Sequence, residues 1–415
     1  MAISLSLELL SLSQQWQVLL LLVALASLVL FTRRLSNKGL RLPPGPAQAP
    51  ILGNLHQLGL LPHQSLRDLA RQHGPVMQLQ LGTVPTVVVS SAEAAREVMK
   101  THDEDCCTRP VSPGMKRLSY GLNNVGFAPY GPYWSMMRKF LLVELFGVRH
   151  VKAAWHARQY QVEKLMSTLS GLAGEPVALK EHIFRLADGI IGMLGFGDMY
   201  NSDKFPHHKN LEHGTFIGGS DTASVTILWA MAELIRKPRL LKKVQDEIRS
   251  MVGGNESVQP DDLVKLAYLK MVVKETLRLH PPATMLLPRE AMRDIQIGGY
   301  DVPAKTRIYV NAWAIGRDPT SWPDDPEEFK PERFETSEID FKGAHFELTP
   351  FGAGRRICPA LSMSIATVEF TLANLLYCFD WALPKGAVVS MEEEGKLIPL
   401  LKTPLVLVPT PYRHM

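Results

Sequence analysis

The chain has 415 residues, with 45 Lys or Arg against 41 Asp or Glu, which gives a formal charge of +4. This excess of positive charge is too small to favour a nucleic-acid-binding protein, and the length suffices for a large core. The four cysteines, Cys106, Cys107, Cys358 and Cys378, have neither disulfide nor zinc-ligand spacing. A reducing compartment is therefore expected.

Apolar residues dominate the N-terminal stretch that ends at Phe31. Residues 16–31 contain only Gln17 and Ser27 as polar side chains, and a weaker apolar run extends towards Leu5. A helix across a bilayer needs about 20 such residues. A cleaved signal peptide is the alternative, but basic residues follow the run and do not precede it. The pattern predicts a retained single-pass membrane anchor over residues 1–34, with the remaining chain in the cytosol.

The residues after this stretch are basic and rich in proline. Because proline fixes φ and lacks an amide hydrogen, neither a helix nor a strand can absorb residues 42–46. We expect a hinge over residues 35–50, followed by one catalytic domain over residues 51–415.

The first part of that domain has short elements of both kinds. Residues 63–73 and 92–100 have helical patterns, and residues 76–90 alternate as a β-hairpin. Residues 283–287 and 302–310 are predicted to be further strands. These elements suit a small sheet beside a mostly helical body.

Three residue pairs lie on predicted helices. Trp134 and Arg138 share one face, a pattern that fits an aromatic ring packed on an arginine stem. Asp221 and Thr222 follow two glycines in an apolar helix. Such a pair is usually bonded to the backbone, although a carboxyl and a hydroxyl can also relay protons. A third pair, Glu275 and Arg278, lies one turn apart, which by default indicates a surface salt bridge of little energetic value.

The most informative stretch is PFGAGRRICPA, residues 350–360. Here Cys358 follows Arg355 and Arg356 in a loop, before a long apolar run that predicts a helix. Positive neighbours and the unpaired amides of a helix start both favour a thiolate. The alternative is a buried structural cysteine in an ordinary turn.

This loop resembles the haem-binding loop of the cytochrome P450 family, in which a Phe, Gly, Arg and Cys pattern carries the axial thiolate. Phe351, Gly354, Arg356 and Cys358 stand at the matching positions. The resemblance implies the family's fold, which is mainly α with a small β region. It also implies haem b (iron protoporphyrin IX) as cofactor, with Cys358 as the iron ligand. Ala360 stands where the family usually has glycine, so its methyl group is expected to crowd the haem.

The same resemblance implies roles for other residues. Trp134, Arg138 and Arg289 would contact the haem propionates, since indole and guanidinium groups are hydrogen-bond donors. Asp221 and Thr222 would deliver protons during oxygen activation.

Two structural features follow from the family pattern as well. Glu275, Arg278 and Arg333 would form a buried network that holds the haem-side scaffold. Family members carry roughly 80 to 100 further residues near residues 200–212, judged by the usual size of their catalytic region. The helical lid over the substrate pocket is therefore expected to be missing. Other pocket residues are expected near residues 113–127, 283–287 and 397–398.

Four motifs in the family's order predict an anchored haem monooxygenase at the endoplasmic reticulum, with its catalytic domain facing the cytosol. Its expected partners are NADPH-cytochrome P450 reductase, O2, membrane lipid and a small lipophilic plant metabolite. Residues 42–56, 82–100 and 372–384 are similar to grass aldoxime monooxygenases of cyanogenic glucoside formation. Two alternatives stay open. One is a haem-thiolate isomerase or dehydratase, against which the intact Asp221-Thr222 pair argues. The other is a catalytically impaired haem-binding membrane protein, which the missing lid supports.

Overall fold

The structure is a computed structural model. It describes residues 39–147, 150–151, 154–197, 200 and 217–412, together with Gln17. The predicted anchor other than Gln17, the hinge up to residue 38 and the predicted shortening beyond residue 200 lie outside the described residues.

The chain divides into two compact units, Met1–Leu42 and Pro43–Met415. The second unit starts inside the predicted hinge because residues from Pro43 onward are packed. The carbonyl of Pro44 accepts a hydrogen bond from the amide of Gln78 at 2.8 Å. A Cβ atom on Gly45 would overlap the carbonyl oxygen of Gln78. Residues 43–50 therefore belong to the folded unit and do not form a free linker.

Helices are the main regular structure of the second unit. In chain order the described α-helices are α1 (Pro62–His73), α2 (Ala92–Arg96), α3 (Asp103–Cys106), α4 (Pro113–Leu118), α5 (Pro132–Phe140), α6 (Trp155–Ser170), α7 (Leu179–Phe196), α8 (Thr222–Arg236), α9 (Pro238–Val252), α10 (Ala267–Leu279), α11 (Ala312–Ile315) and α12 (Leu361–Cys378). Wider π turns precede α8 at Ile217–Asp221 and follow α2 and α5 at Glu97–Thr101 and Leu141–Leu145.

The strands are short. They are β1 (Val76–Leu81), β2 (Val84–Val89), β3 (Val177–Ala178), β4 (Arg289–Glu290), β5 (Ile295–Ile297), β6 (Tyr300–Val302), β7 (Arg307–Val310), β8 (Phe379–Ala382), β9 (Glu393–Glu394), β10 (Leu400–Leu401) and β11 (Val406–Pro411). The largest sheet has the order β1-β2-β7-β4, in which only the β2–β7 pairing is parallel. The fold is thus mainly α with small sheets, as predicted.

The sequence predictions of single strands have mixed outcomes. The predicted hairpin is confirmed, with Val76 opposite Val89. The predicted strand at 302–310 is interrupted between β6 and β7. The predicted strand at 283–287 is wrong, because this segment turns. Leu286 donates its amide to the carbonyl of Ala283 at 3.1 Å and has a left-handed φ of 46°, which a strand cannot accommodate.

Helix α8 forms the centre of the core. Its residues 223–235 are buried, and it packs against α7, α9, α10 and α12. In the described part of the chain, α12 is the helix that is long and apolar enough to cross a membrane. However, 67% of it is buried inside the protein, so its apolar composition is explained by the core.

Candidate active site

The loop before α12 is held in one conformation by its own backbone. Cys358 donates its amide to the carbonyl of Phe351 at 2.9 Å, and Gly352 donates to Thr349 at 3.0 Å. Gly354 has a φ of 68°, and a Cβ atom there would overlap the carbonyl of Met99. Glycine is required at residue 354 for both reasons. The Phe351 ring packs edge-on at 5.6 Å from that of Phe341.

The environment of Cys358 differs from the one the sequence predicts. Burial is the largest influence and raises the pKa of the thiol, while the amide of Ala360 and the charge of Arg138 act in the opposite direction. Arg355 and Arg356 are not the groups that lower this pKa, and desolvation outweighs the charge of Arg138 in the protein alone. Iron coordination would still deprotonate the thiol.

The two arginines beside Cys358 point to other partners. The Arg355 side chain reaches Glu104 at 3.3 Å. Arg356 donates through Nε to the carbonyl of Cys107 at 2.7 Å and through Nη2 to that of Ala128 at 2.8 Å. Arg356 therefore fastens the residue 107–128 segment to the cysteine loop. Its pKa is lowered to about 10 by burial.

Two of the predicted site arginines, Arg138 and Arg356, pack on the ring of Trp134. The guanidinium carbon of Arg356 lies 4.2 Å and that of Arg138 lies 5.7 Å from the ring centroid. The indole N–H donates to the carbonyl of Val125 at 3.2 Å. This bond orients the ring, on which the two cations stack, and the contact of Trp134 with haem stays a prediction.

Arg289 has a carboxylate partner that the sequence analysis missed. Its Nη1 donates to Oδ1 of Asp103 at 2.7 Å, and its Nη2 donates to the carbonyl of Ala353 at 2.9 Å. The other oxygen of Asp103 accepts the amide of Arg355 at 2.7 Å. Asp103 thus joins Arg289 to the cysteine loop. No sequence signal marks it, because it stands in an acidic run typical of a surface.

Arg109 was also missed. Its guanidinium is buried and donates to the carbonyls of Gly126, Leu287 and Pro288 at 2.7–3.1 Å. Burial, together with the charges of Arg289 and Arg356, lowers its pKa. The local sequence, an arginine before a proline in a loop, does not predict that this side chain is buried.

These arginines allow a test of whether the residues fit haem. Arg109, Arg138, Arg289 and Arg356 lie close enough to influence one another or Cys358 electrostatically. Within the described residues, Arg289 alone of the four has a carboxylate partner, Asp103. Buried positive charge without enough counter-charge is costly, and two propionates would supply the missing negative charge. Together with the cysteine sulfur, this donor set fits haem.

The start of α8 combines an irregular turn with open space. The predicted glycine pair lies in the π turn Ile217–Asp221, and such turns are frequent at functional sites. Among the described residues, a Cβ atom on Gly218 would contact nothing within 4 Å, whereas one on Gly219 would lie 3.1 Å from Ile191. Gly218 therefore leaves room beside the helix, and Gly219 permits close packing on α7.

The polar pair at this turn is bonded locally. Thr222 donates its hydroxyl to the carbonyl of Gly218 at 3.1 Å. Ser220 donates to Oδ1 of Asp221 at 3.1 Å. Both side chains are thereby oriented at the N-terminal end of α8.

The predicted Glu275 network has the expected geometry. Oε2 of Glu275 accepts from Nε of Arg278 at 2.7 Å, and Oε1 accepts from Nε of Arg333 at 2.9 Å. The three side chains are 0%, 0% and 6% exposed. Arg278 also donates to the carbonyls of Gly316 and Pro326, so the network joins α10 to the segment before residue 334.

Ala360 causes no backbone strain. It is the residue before α12 and has φ −96° and ψ 16°. These angles lie in a negative-φ region that turn residues other than glycine adopt, so backbone conformation does not require glycine at this position.

The comparisons with known proteins decide the family. The sequence model described as Cytochrome P450 matches residues 43–215 and 212–409. This chain belongs to the cytochrome P450 family. The 4-hydroxyphenylacetaldehyde oxime monooxygenase of Sorghum bicolor is 49% identical to it, over 97% of each chain. The 2-methylbutanal oxime monooxygenase of Manihot esculenta is 37% identical, over 97% of this chain and 98% of the relative. A zebrafish cytochrome P450 solved with abiraterone has a TM-score of 0.73 and 25% identity, and covers 86% of this chain and 100% of its own.

The P450 relatives also show how this chain is interrupted. The alignment with the Sorghum bicolor enzyme extends over 516 positions, although this chain has 415 residues. About 100 aligned positions of the relative therefore have no counterpart in this chain. The two stretches matched by the family meet at residues 212–215, beside the shortening predicted from the sequence.

As a P450, the protein is a haem-thiolate oxidoreductase of the monooxygenase type, which uses O2 and a small-molecule substrate. The haem, when bound, supplies the oxygen activation.

Proposed function

We propose that this P450 oxidises an aldoxime. The observation that supports the proposal is that two similar plant relatives are both oxime monooxygenases, at 49% and 37% identity over 97% of this chain. Their named oximes differ in the attached group, which is aromatic in one and a branched alkyl group in the other. The feature they share is the oxime.

Several of the described residues would together hold the haem, each through a different contact. Cys358 would ligate the iron from the loop that its amide closes on Phe351. Gly354 would let this loop pack on Met99. Arg138 and Arg289 would meet the propionates.

Arg109 and Arg356 would add positive charge at the same place, since their buried guanidinium groups lack carboxylate partners among the described residues. Trp134 would hold Arg356 and Arg138 in place through its ring. The cluster would then bind an anionic group and keep water from it.

Proton delivery would belong to the start of α8. Thr222 and Asp221 carry the hydroxyl and carboxyl needed for a relay, and each has a hydrogen bond that orients it. The open space beside Gly218 would admit O2 next to this pair. Electrons would come from NADPH through cytochrome P450 reductase, with residues 1–34 anchoring the protein in the endoplasmic reticulum membrane.

Neither alternative gains support from the comparisons. The two oxime-acting relatives are named monooxygenases, which favours reductase-dependent oxidation over isomerisation or dehydration without electrons. Their similarity extends over 97% of this chain, including both sides of the interruption, so the haem-binding and oxygen-side motifs are all retained.

The proposal is tested with the full chain expressed in yeast microsomes together with a P450 reductase. A reduced-plus-CO difference spectrum with the red-shifted Soret band of thiolate-bound haem is expected first. 4-Hydroxyphenylacetaldehyde oxime and 2-methylbutanal oxime are then supplied with and without NADPH. We expect at least one to be consumed only with NADPH, and Cys358→Ser to abolish the reaction. A normal spectrum with neither oxime consumed would contradict the aldoxime assignment, and consumption without NADPH would favour the dehydratase.

A further inference from the structure

A small hairpin near the C-terminus is attached to the protein at three points. This C-terminal hairpin comprises residues 393–401, with Leu400 of β10 opposite Glu394 of β9. Its two strands have two residues each. Isolated two-stranded hairpins are at best marginally stable, so the position of this hairpin depends on its attachments.

The first attachment is a buried acid. Oε2 of Glu393 lies 2.7 Å from Nε2 of His63 and accepts from Nε2 of Gln64 at 3.2 Å. The side chains of His63 and Glu393 are 3% and 8% exposed. His63 is itself fixed, since its ring packs edge-on against Trp313 at 5.0 Å. The first strand of the hairpin is therefore tied to the first turn of α1.

The second attachment is a close backbone contact. A Cβ atom on Gly395 would lie 2.5 Å from the carbonyl oxygen of Leu60. Real Cβ atoms do not approach so closely, and a backbone carbonyl cannot swing aside as a flexible side chain can. Any larger residue at 395 would push the hairpin away from the segment before α1.

The third attachment ties the second strand to α8. Nε1 of Trp229 donates to the carbonyl of Pro399 at 3.2 Å. The Trp229 ring is buried and stacks on His280 at 4.1 Å, with 3° between the planes. His280 in turn contacts Glu233 at 2.9 Å. The anchoring indole is therefore held rigidly.

Trp229, which makes the third attachment, lies on the same helical face as Thr222, the residue predicted to act in oxygen activation. Thr222, Thr226 and Trp229 follow the spacing i, i+4 and i+7, so they share one face of α8. Seven residues advance about 10 Å along a helix. The hairpin is thus bonded to the face of α8 that carries Thr222, about two turns further along. Its tip residue Leu397 is 76% exposed, which leaves an apolar side chain available for a ligand.

We propose that Glu393 is a positioning residue for substrate selection. By binding His63 and Gln64 it fixes the hairpin, and the hairpin places Leu397 and Ile398 against the substrate beside the Thr222 face of α8. Glu393 does not touch substrate. The proposal rests on the assignment of this site as a substrate-oxidising haem pocket, but not on the identity of the substrate.

Two variants displace the hairpin by different means. Glu393→Gln removes the charge that faces His63, and Gly395→Ala introduces the overlap with Leu60 while leaving every side-chain bond in place. Matched controls exist for both. Glu392→Gln removes an acid from the residue just before the hairpin, where Glu392 is 67% exposed and pairs with Lys402 at 2.8 Å. Gly254→Ala adds a methyl group where nothing lies within 4 Å.

The measurement uses two nitrogen ligands of haem iron, imidazole and 4-phenylimidazole, in the full-length microsomal protein. Spectral titration gives a dissociation constant for each, and the ratio of the two reports the space above the iron. We expect Glu393→Gln and Gly395→Ala to change this ratio by about fivefold or more, the scale on which an altered apolar contact discriminates ligands. Both control variants should keep the wild-type ratio.

A wild-type ratio in Gly395→Ala, with its reduced-plus-CO spectrum intact, would overturn the proposal. This holds even where Glu393→Gln fails to retain haem, because the glycine variant breaks no polar contact. The two azoles bind without turnover. A chain that ignores aldoximes but shows the expected ratios would therefore refute the aldoxime substrate and leave the role of Glu393 supported.

Discussion

The Asp103→Asn substitution tests the electrostatics that hold the cysteine loop. Asp103 is 4% exposed and accepts from Arg289 and from the amide of Arg355, each at 2.7 Å. Asparagine is almost the same size and keeps an oxygen for the amide of Arg355. The variant therefore removes the negative charge and the acceptor that faces Arg289, while the bond to Arg355 is kept.

The magnitude follows from the distance and the burial. At 2.7 Å and an effective dielectric constant of about 20, the gross attraction between Asp103 and Arg289 is roughly 6 kcal/mol. Desolvation offsets much of this attraction. Removing Asp103, however, leaves Arg289 with a haem propionate as its remaining expected counter-charge, and breaking a buried pair in this way costs about 3–5 kcal/mol. The equilibrium would shift by about 100-fold to several thousand-fold towards the unfolded protein.

The assay is loss of the reduced-plus-CO signal in urea. With a denaturant slope of about 3 kcal/mol per molar, the midpoint should fall by about 1–2 M. Glu104→Gln is the matched control, since it makes the same charge change one residue away. Glu104 is 66% exposed, and its partner Arg355 is 43% exposed. Such a pair is worth about 0–1 kcal/mol, so the control midpoint should fall by less than about 0.3 M.

Equal shifts in the two variants would refute the reasoning, because burial would then make no difference to the value of the charge. A wild-type midpoint in Asp103→Asn would refute it as well, since Arg289 would not need its carboxylate. Both variants are measured in the same urea assay.

Three further outcomes are expected. Cys358→Ser should lose the red-shifted Soret band of the reduced-plus-CO spectrum, and a retained band would exclude Cys358 as the iron ligand. Thr222→Ala should lower product formed per NADPH by about 100-fold or more if the relay operates, and product and peroxide yields measure this coupling. Burial raises the pKa of Glu369 from 4.5 to about 7, against the charge of Lys270. The folded state therefore binds the proton more tightly, and stability should fall as pH rises from about 4.5 through 7. Glu369→Gln should remove this decline in urea titrations at pH 5 to 8, and an unchanged pH profile would contradict it.

Local patterns predicted the parts of this protein that local forces determine. The hairpin of β1 and β2 follows from strict alternation around a tight turn. The helix after Cys358 follows from its apolar run. Glu275 and Arg278 were placed on one helical face from spacing alone, and they do contact each other there at 2.7 Å.

Contacts between residues distant in the chain escaped the same reasoning. Arg356 stands two residues from Cys358 but donates to the carbonyl of Cys107, which is 249 residues away. The position of Arg356 near Cys358 in the sequence therefore did not predict which charged groups influence the Cys358 sulfur. The cation whose charge lowers the pKa of the thiol is Arg138, in α5. Asp103 was missed for the same reason.

The failed strand at 283–287 has a different cause. Its apolar residues fit a buried strand, but periodicity does not register a single left-handed residue. Leu286 takes that conformation, and the strand pairing with β7 begins only at Arg289. The turn also affects the candidate site. The carbonyls of Leu287 and Pro288, just before β4, accept hydrogen bonds from the buried Arg109.

The interruption lies between the two parts of the chain that form the cysteine-loop site, so its effect is expected on the substrate pocket and not on that site. The cysteine loop, its arginines and the Glu275 network come from residues 99–138 and 275–358, on both sides of residues 212–215, and their contacts are complete without the stretch that the Sorghum bicolor relative carries. The contacts that hold the cysteine loop therefore do not require residues from that stretch. If the missing stretch covers substrate in the relatives, fewer elements remain here to shape the pocket. The C-terminal hairpin is one of them, so its attachment through Glu393 should influence ligand choice more strongly in this chain than in a P450 that has a complete lid.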